Sequence, residues 1–183
     1  MLDLDAHPRL RLLFRIARLR VALGFAAAAV TLALARPTWG SLATGALLAA
    51  AGEALRIWAA GHLVKGREVT TSGPYRFTGH PLYLGSLVIG VGCVVAAASP
   101  VVAAVVLAYL AVMLPVAIRL EEATLAAAFG DSYTRYRRGA APRSGRRFSV
   151  GRARSNREHL AVAGLLAGVA LGALRAWWLN GWP

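Results

Sequence analysis

Glu121 and Glu122 are adjacent carboxylates at the end of one apolar run, and His80-Pro-Leu-Tyr-Leu-Gly85 sets an imidazole and a phenol at the start of another. Carboxylates hold cationic groups, aromatic faces add cation–π attraction, and imidazole exchanges protons near neutral pH. Arg76 lies in the polar stretch before His80, and Tyr133 and Tyr136 follow the glutamates at helical spacing. Glu53 and Arg56, three residues apart in a third apolar run, can face each other on a helix. A charge inside a membrane segment is costly, so this pair reads either as a structural ion pair or as part of a wet functional cavity. None of these features is specific alone. A histidine at a helix start is commonly a cap, and paired glutamates at a helix end are commonly solvated. The one cysteine, Cys93, sits in an apolar run, which leaves core packing and excludes an internal disulfide or a cysteine metal cluster.

The elements that position these residues follow from hydropathy. The chain has 183 residues, 57% of them hydrophobic, with a mean hydropathy of +0.54, and its apolar residues cluster in runs near the length a helix needs to cross a bilayer. Five such runs are Leu19–Ala35, Ser41–Val64, Pro81–Ala98, Pro100–Leu120 and His159–Leu179. A spanning segment must satisfy its own backbone hydrogen bonds, so each is expected as a helix. The fold expected is an all-α polytopic transmembrane bundle of about five spanning helices, one membrane domain over 1–183.

A net charge of +13 belongs to topology rather than to nucleic-acid binding, for which there is little solvated domain. Basic residues crowd before the first span (Arg9, Arg11, Arg15, Arg18, Arg20), between the second and third (Lys65, Arg67, Arg76) and from Arg135 to Arg157, whereas Arg36 alone occupies the first connection and Ser99-Pro100 carries none. The positive-inside rule then places the N-terminus in the cytoplasm. His80 and Glu121-Glu122 fall on that same face. The first span is expected to be retained, since no small-residue cleavage pattern follows it. Composition fits a bacterial inner membrane.

Residues 1–18 read as a basic amphipathic helix in the headgroup region. Beyond Glu122, the spacing of Leu125, Phe129, Tyr133 and Tyr136 predicts a surface helix broken at Gly130-Asp131. Gly139 to Arg157, and 144–158 in particular, reads as a flexible basic linker near anionic lipid. Gly164, Gly168 and Gly172 share one face of the last helix, 159–179, which predicts packing on the bundle or a homodimer seam. Trp177, Trp178 and Trp182 mark the outer interface. His7 and His159 have no chemical context.

Ser72-Gly-Pro-Tyr-Arg76, His80-Pro-Leu-Tyr-Leu-Gly85, Glu121-Glu122 and Phe129-Gly-x-x-Tyr133-x-x-Tyr136 together resemble, in order and spacing, the isoprenylcysteine carboxyl methyltransferase and phospholipid methyltransferase superfamily. The resemblance covers roughly 53–143. It implies S-adenosylmethionine as cofactor, an adenine slot formed by His80, Pro81, Tyr83, Leu84 and Gly85, and attraction of the cationic amino and sulfonium groups by Glu121 and Glu122, with Tyr133 and Tyr136 beside them. Glu122 is the stronger candidate of the two. The family commonly carries an arginine immediately before the His-Pro pair; Gly79 stands there, so the cofactor carboxylate would fall to Arg76 or Arg137, each of which also serves topology.

Methyl transfer is an in-line displacement whose main demand on the protein is orientation and exclusion of water. A carboxylate acceptor needs no base, whereas a protonated amine does. The residues mark no unambiguous base. That favours O-methylation of a lipidic or isoprenoid carboxylate entering from the bilayer beside Glu53 and Arg56. The alternatives are a phospholipid amine N-methyltransferase, an NADPH-dependent sterol-type membrane reductase, and a non-catalytic scaffold.

Overall fold

The structure, a computed structural model, describes residues 8–142 and 144–182; His7 and the start of the basic N-terminal segment lie outside the described residues. Among the described residues six α-helices follow in order: α1 Pro8–Leu34, α2 Trp39–His62, α3 Pro81–Ala97, α4 Pro100–Arg137, α5 Val150–Ser155 and α6 Glu158–Asn180, with a 3-10 turn at Gly73–Arg76. α1, α2, α4 and α6 are long and apolar enough to cross a membrane, and α3 is a shorter apolar helix. The protein is thus an all-helical polytopic bundle.

Local chemistry accounts for the boundaries. Thr38 and Ser41 form a reciprocal capping box at the start of α2. Pro81 and Pro100 occupy first-turn positions, where a missing N–H costs nothing. Ser99 caps α4 through Val102 N.

Two flanks depart from the sequence-based expectation. The basic segment beginning at Pro8 forms no separate surface helix, because residues 8–34 are one continuous α1. The predicted surface helix after Glu122 is likewise the far part of α4. Its helical stretch before Gly130 alone extends roughly 45 Å, beyond a hydrocarbon core of about 30 Å, so α4 projects from the bilayer. The expected break is present: Gly130, at φ +47° and ψ -118°, kinks α4 and lets Arg137 turn back to Glu122.

α2 is the central helix, packed on α3, α5 and α6, while α4 packs on α3 and α1. The α2–α3 contact is backbone against backbone. A Cβ placed on Gly52 would lie 2.7 Å from the Gly85 carbonyl oxygen, and one on Gly92 would lie 2.6 Å from that of Gly45 and 2.7 Å from Ala49 N. Small residues permit such an approach in lipid, where packing rather than water expulsion drives helices together. On α6 only Gly172 meets the bundle, at Leu42, while Gly164 and Gly168 face open space.

At the end of the bundle opposite His80, the helix ends are tied by polar contacts. Arg36 N donates to Ala97 O at 2.8 Å, Arg175 Nη2 to Ala33 O at 3.1 Å, and Asn180 Nδ2 to Pro37 O at 2.9 Å. Trp39 stacks on Trp182 with ring planes 8° apart, and Trp178 is exposed. An aromatic cluster at a helix end suits a membrane interface.

Gly92→Leu forces α2 and α3 apart and is expected to destabilise the protein by about 1–3 kcal/mol or more, whereas Gly168→Leu, which meets nothing, leaves the detergent melting temperature unchanged. Equal effects of the two substitutions would refute the backbone contact.

Candidate functional site

The chain direction alternates through α1, α2, α3, α4 and α6, so the α2–α3 connection, the projecting part of α4 and the 138–157 segment share one end. There a cavity of ≈ 450 Å³ opens between the 3-10 turn, the start of α3 and α4. A volume of this size lies within the ~300–1,000 Å³ usual for ligand sites.

His80 is the N-cap residue of α3, yet its side chain makes no capping bond. The ring turns instead towards α4, with Nε2 3.2 Å from Glu122 Oε1 and Nδ1 3.6 Å from Glu121 Oε2. Glu122 Oε1 also pairs with Arg137, one helical stretch further along α4. Both contacts fall on one oxygen, which leaves Glu122 Oε2 open to a further donor. His80 Nδ1 is buried without a hydrogen-bond partner, the kind of unsatisfied group that marks a ligand site.

Tyrosines line and brace the walls. Tyr133 is buried against Tyr136, ring centroids 6.3 Å apart, and the Tyr136 hydroxyl donates to Tyr75 O at 2.9 Å. Burial, and next the Glu121 carboxylate, push the Tyr75 phenol above its ordinary value, so it remains neutral. Tyr83 packs against the His80 ring at 5.9 Å, and Glu121 lies within reach of its hydroxyl.

The structure therefore brings Arg76, His80, Glu122, Tyr133 and Tyr136 onto one cavity, with Tyr83 and Glu121 adjoining through the His80 ring. Pro81, Leu84 and Gly85 are not among its lining residues. Pro81 is fully buried at the base of α3, Leu84 is 45% exposed on the outer face, and Gly85 is pressed against Gly52 and Arg56. Of this motif, His80 meets Glu121 and Glu122 of α4, and Tyr83 lies beside the His80 ring. Gly79 lines the cavity and a Cβ there would meet nothing, so the position expected to hold an arginine is open space. Thr71, Phe77 and Thr78 line it too and were not singled out by sequence; the signal was their place in the polar stretch before His80.

Arg56 does not reach this cavity. Its guanidinium donates to Ser86 Oγ at 2.6 Å and to both oxygens of Glu158 at 3.0 and 3.1 Å, with Glu53 at 3.5 Å. Glu53 and Glu158 are buried. The segment expected as a flexible linker is also fixed in place. Ser149 N and Arg152 Nε donate to Gly61 O, and Asn156 Nδ2 donates to Ala60 O and Leu63 O. The last carbonyls of a helix lack a full set of intrahelical donors, and the Ser149 backbone N–H and the Arg152 and Asn156 side chains add them here. Phe148 fills the space beside Gly61, its ring 6.3 Å from that of His62.

Arg56→Met strands two buried carboxylates and is expected to lower stability by about 3 kcal/mol, read as a fall in the detergent melting temperature. An unchanged melting temperature would show that the Glu53–Arg56–Glu158 group does not hold α6 to α2.

Residues 42–127 match the isoprenylcysteine carboxyl methyltransferase (ICMT) family. No curated protein and no solved structure matches the chain. The matched segment contains α3, His80, Glu121 and Glu122 and stops before Phe129, so the placement of Tyr133 and Tyr136 rests on the geometry above. The match over residues 42–127, just under half of the chain, supports an isoprenylcysteine carboxyl methyltransferase-like superfamily of membrane methyltransferases.

Proposed function

We propose that this protein transfers a methyl group from S-adenosylmethionine to a lipidic or isoprenoid acceptor, with a carboxylate oxygen as the methylated atom. The observation that supports this reading is Glu122, held between His80 and Arg137 on the cavity wall, within the segment that matches the family. The residues fit the cofactor. Glu122 Oε2 is free to accept from an amino group, the buried His80 Nδ1 needs a partner, and Tyr133 and Tyr136 offer aromatic surface to a flat ring or a cation. With Gly79 in place of the usual arginine, Arg76 and Arg137 are the guanidinium groups on the wall that can face a carboxylate.

When bound, S-adenosylmethionine supplies a sulfonium-activated methyl group. The chain's own part is to orient and to exclude water. Tyr136 ties α4 to the backbone of the 3-10 turn, which holds the two walls at fixed separation. The lipid-exposed Leu84 and Leu87 of α3 offer an apolar track beside His80 for the tail of an acceptor. By the positive-inside rule this end of the bundle faces the cytoplasm, and an inner bacterial membrane with anionic lipids would suit its arginines. A phospholipid amine is the second reading, and one feature favours it: His80, flanked by two carboxylates, is placed to accept a proton.

Calorimetric titration of the detergent-purified protein with S-adenosylhomocysteine is expected to show saturable binding, with none for NADPH. Glu122→Gln should weaken that binding about tenfold while the helical content stays constant, since a charge-assisted contact is replaced by a neutral one. Binding of NADPH alone would favour a reductase, and binding of neither would leave a scaffold. Undiminished affinity in Glu122→Gln would overturn the assignment of Glu122.

A further inference from the structure

A second cavity, of ≈ 420 Å³, adjoins the first, with Thr71 and Ala141 common to both walls. The projecting part of α4 contributes to each. Tyr133 and Tyr136 face the first cavity, while Phe129, Ser132 and Arg135 face the second. Opposite them stand Arg67, Glu68 and Val69 of the α2–α3 connection.

The charge of this cavity is unbalanced. Glu68 is taken by Arg146, whose Nη1 and Nη2 lie 2.5 and 2.9 Å from its two oxygens. The guanidinium groups of Arg67 and Arg135 have neither an ion pair nor a hydrogen bond among the described residues. Two uncompensated guanidinium groups across a concave surface repel each other, and an anion between them removes that repulsion. Their donor geometry narrows the anion further. One arginine fork satisfies a carboxylate, whereas a phosphate group has enough acceptor oxygens for two forks. The Ser132 hydroxyl adds a neutral donor, and Phe129 with Val69 gives an apolar surface beside the charges.

We propose that this second cavity binds a phosphate group, with Arg67 and Arg135 as its two cationic clamps. The shared chemistry is a phosphate; its source is either the headgroup of an anionic phospholipid or free phosphate. The site is separate from the methyl-transfer cavity, and the proposal does not depend on that reading. Thr71 gives the two cavities a common wall: its hydroxyl donates to Pro142 O at 3.1 Å and accepts from Ser144 N at 3.0 Å.

The full-length protein in a neutral detergent would be titrated calorimetrically with inorganic phosphate and, separately, with a short-chain phosphatidic acid. Saturable binding of at least one probe is expected, weakened about tenfold or more in Arg67→Ala/Arg135→Ala and retained in Arg138→Ala, an exposed arginine outside the cavity. Binding of both probes would assign the site to phosphate itself, and binding of the phosphatidic acid alone would assign it to a lipid headgroup. Absence of binding by either probe, equal affinity in the double variant, or an equal loss in Arg138→Ala would overturn the proposal. Arg135→Glu, a single reversal at an exposed position, is expected to abolish binding and keeps the test decisive should the double variant fail to fold.

Discussion

α2 and α3 touch backbone to backbone where Gly45 and Gly52 meet Gly92 and Gly85, and the positions of the other groups follow from that contact. In lipid, two helices gain little from hiding apolar side chains, because the solvent is itself apolar; close packing holds them. The contact fixes the start of α3 beside the end of α2, so the chain between His62 and Pro81 must fold back on itself as the 3-10 turn and its flanks. His80 then sits at a helix start with its ring turned across to Glu121 and Glu122. A wider α2–α3 spacing would carry His80 away from α4.

The second constraint is the cost of polar groups without water. Glu53 and Glu158 are buried beside the partly buried Arg56, and their mutual pairing joins α6 to α2 and α3. The carbonyls at the end of α2 meet the same problem and find their donors in Ser149, Arg152 and Asn156. The part of the chain beyond the family match is therefore fastened to the matched part by buried polar contacts as well as by packing. Ala141 in this part lines both cavities, beside Gly139 in the first and Pro142 and Ser144 in the second.

Much of this architecture could be read from residue order. Long apolar runs and the crowding of arginines at one set of loops placed all the chemistry-bearing groups at one end, and His80 and Glu122 meet there across a sequence separation of 42 residues. What could not be read depended on rotation and on partners. The motif after His80 looks continuous in sequence, but a helix sends Leu84 outward and Gly85 into α2. Arg56 suggested a wet cavity because Glu158, its bidentate partner, lies at the very start of α6, where a first-turn glutamate looks like an ordinary helix-end charge. The stretch from Gly139 to Arg157 is too polar to form a core, yet it need not form one; Ser149, Arg152 and Asn156 donate to carbonyls at the end of α2, a role with no compositional signature.

The central claim is that the cavity walled by His80 and Glu122 serves methyl transfer to a lipid-borne carboxylate. Its most direct test is to incubate the protein, reconstituted in vesicles of membrane lipid supplemented with isoprenoid and fatty carboxylic acids, with S-adenosylmethionine carrying a labelled methyl group, and then to treat the organic extract with mild base. Label that enters the organic phase and is released by base as methanol is the result the account predicts, because a methyl ester is base-labile. An organic phase without label would contradict methyl transfer to lipid altogether, and base-stable label would contradict the carboxylate as its acceptor.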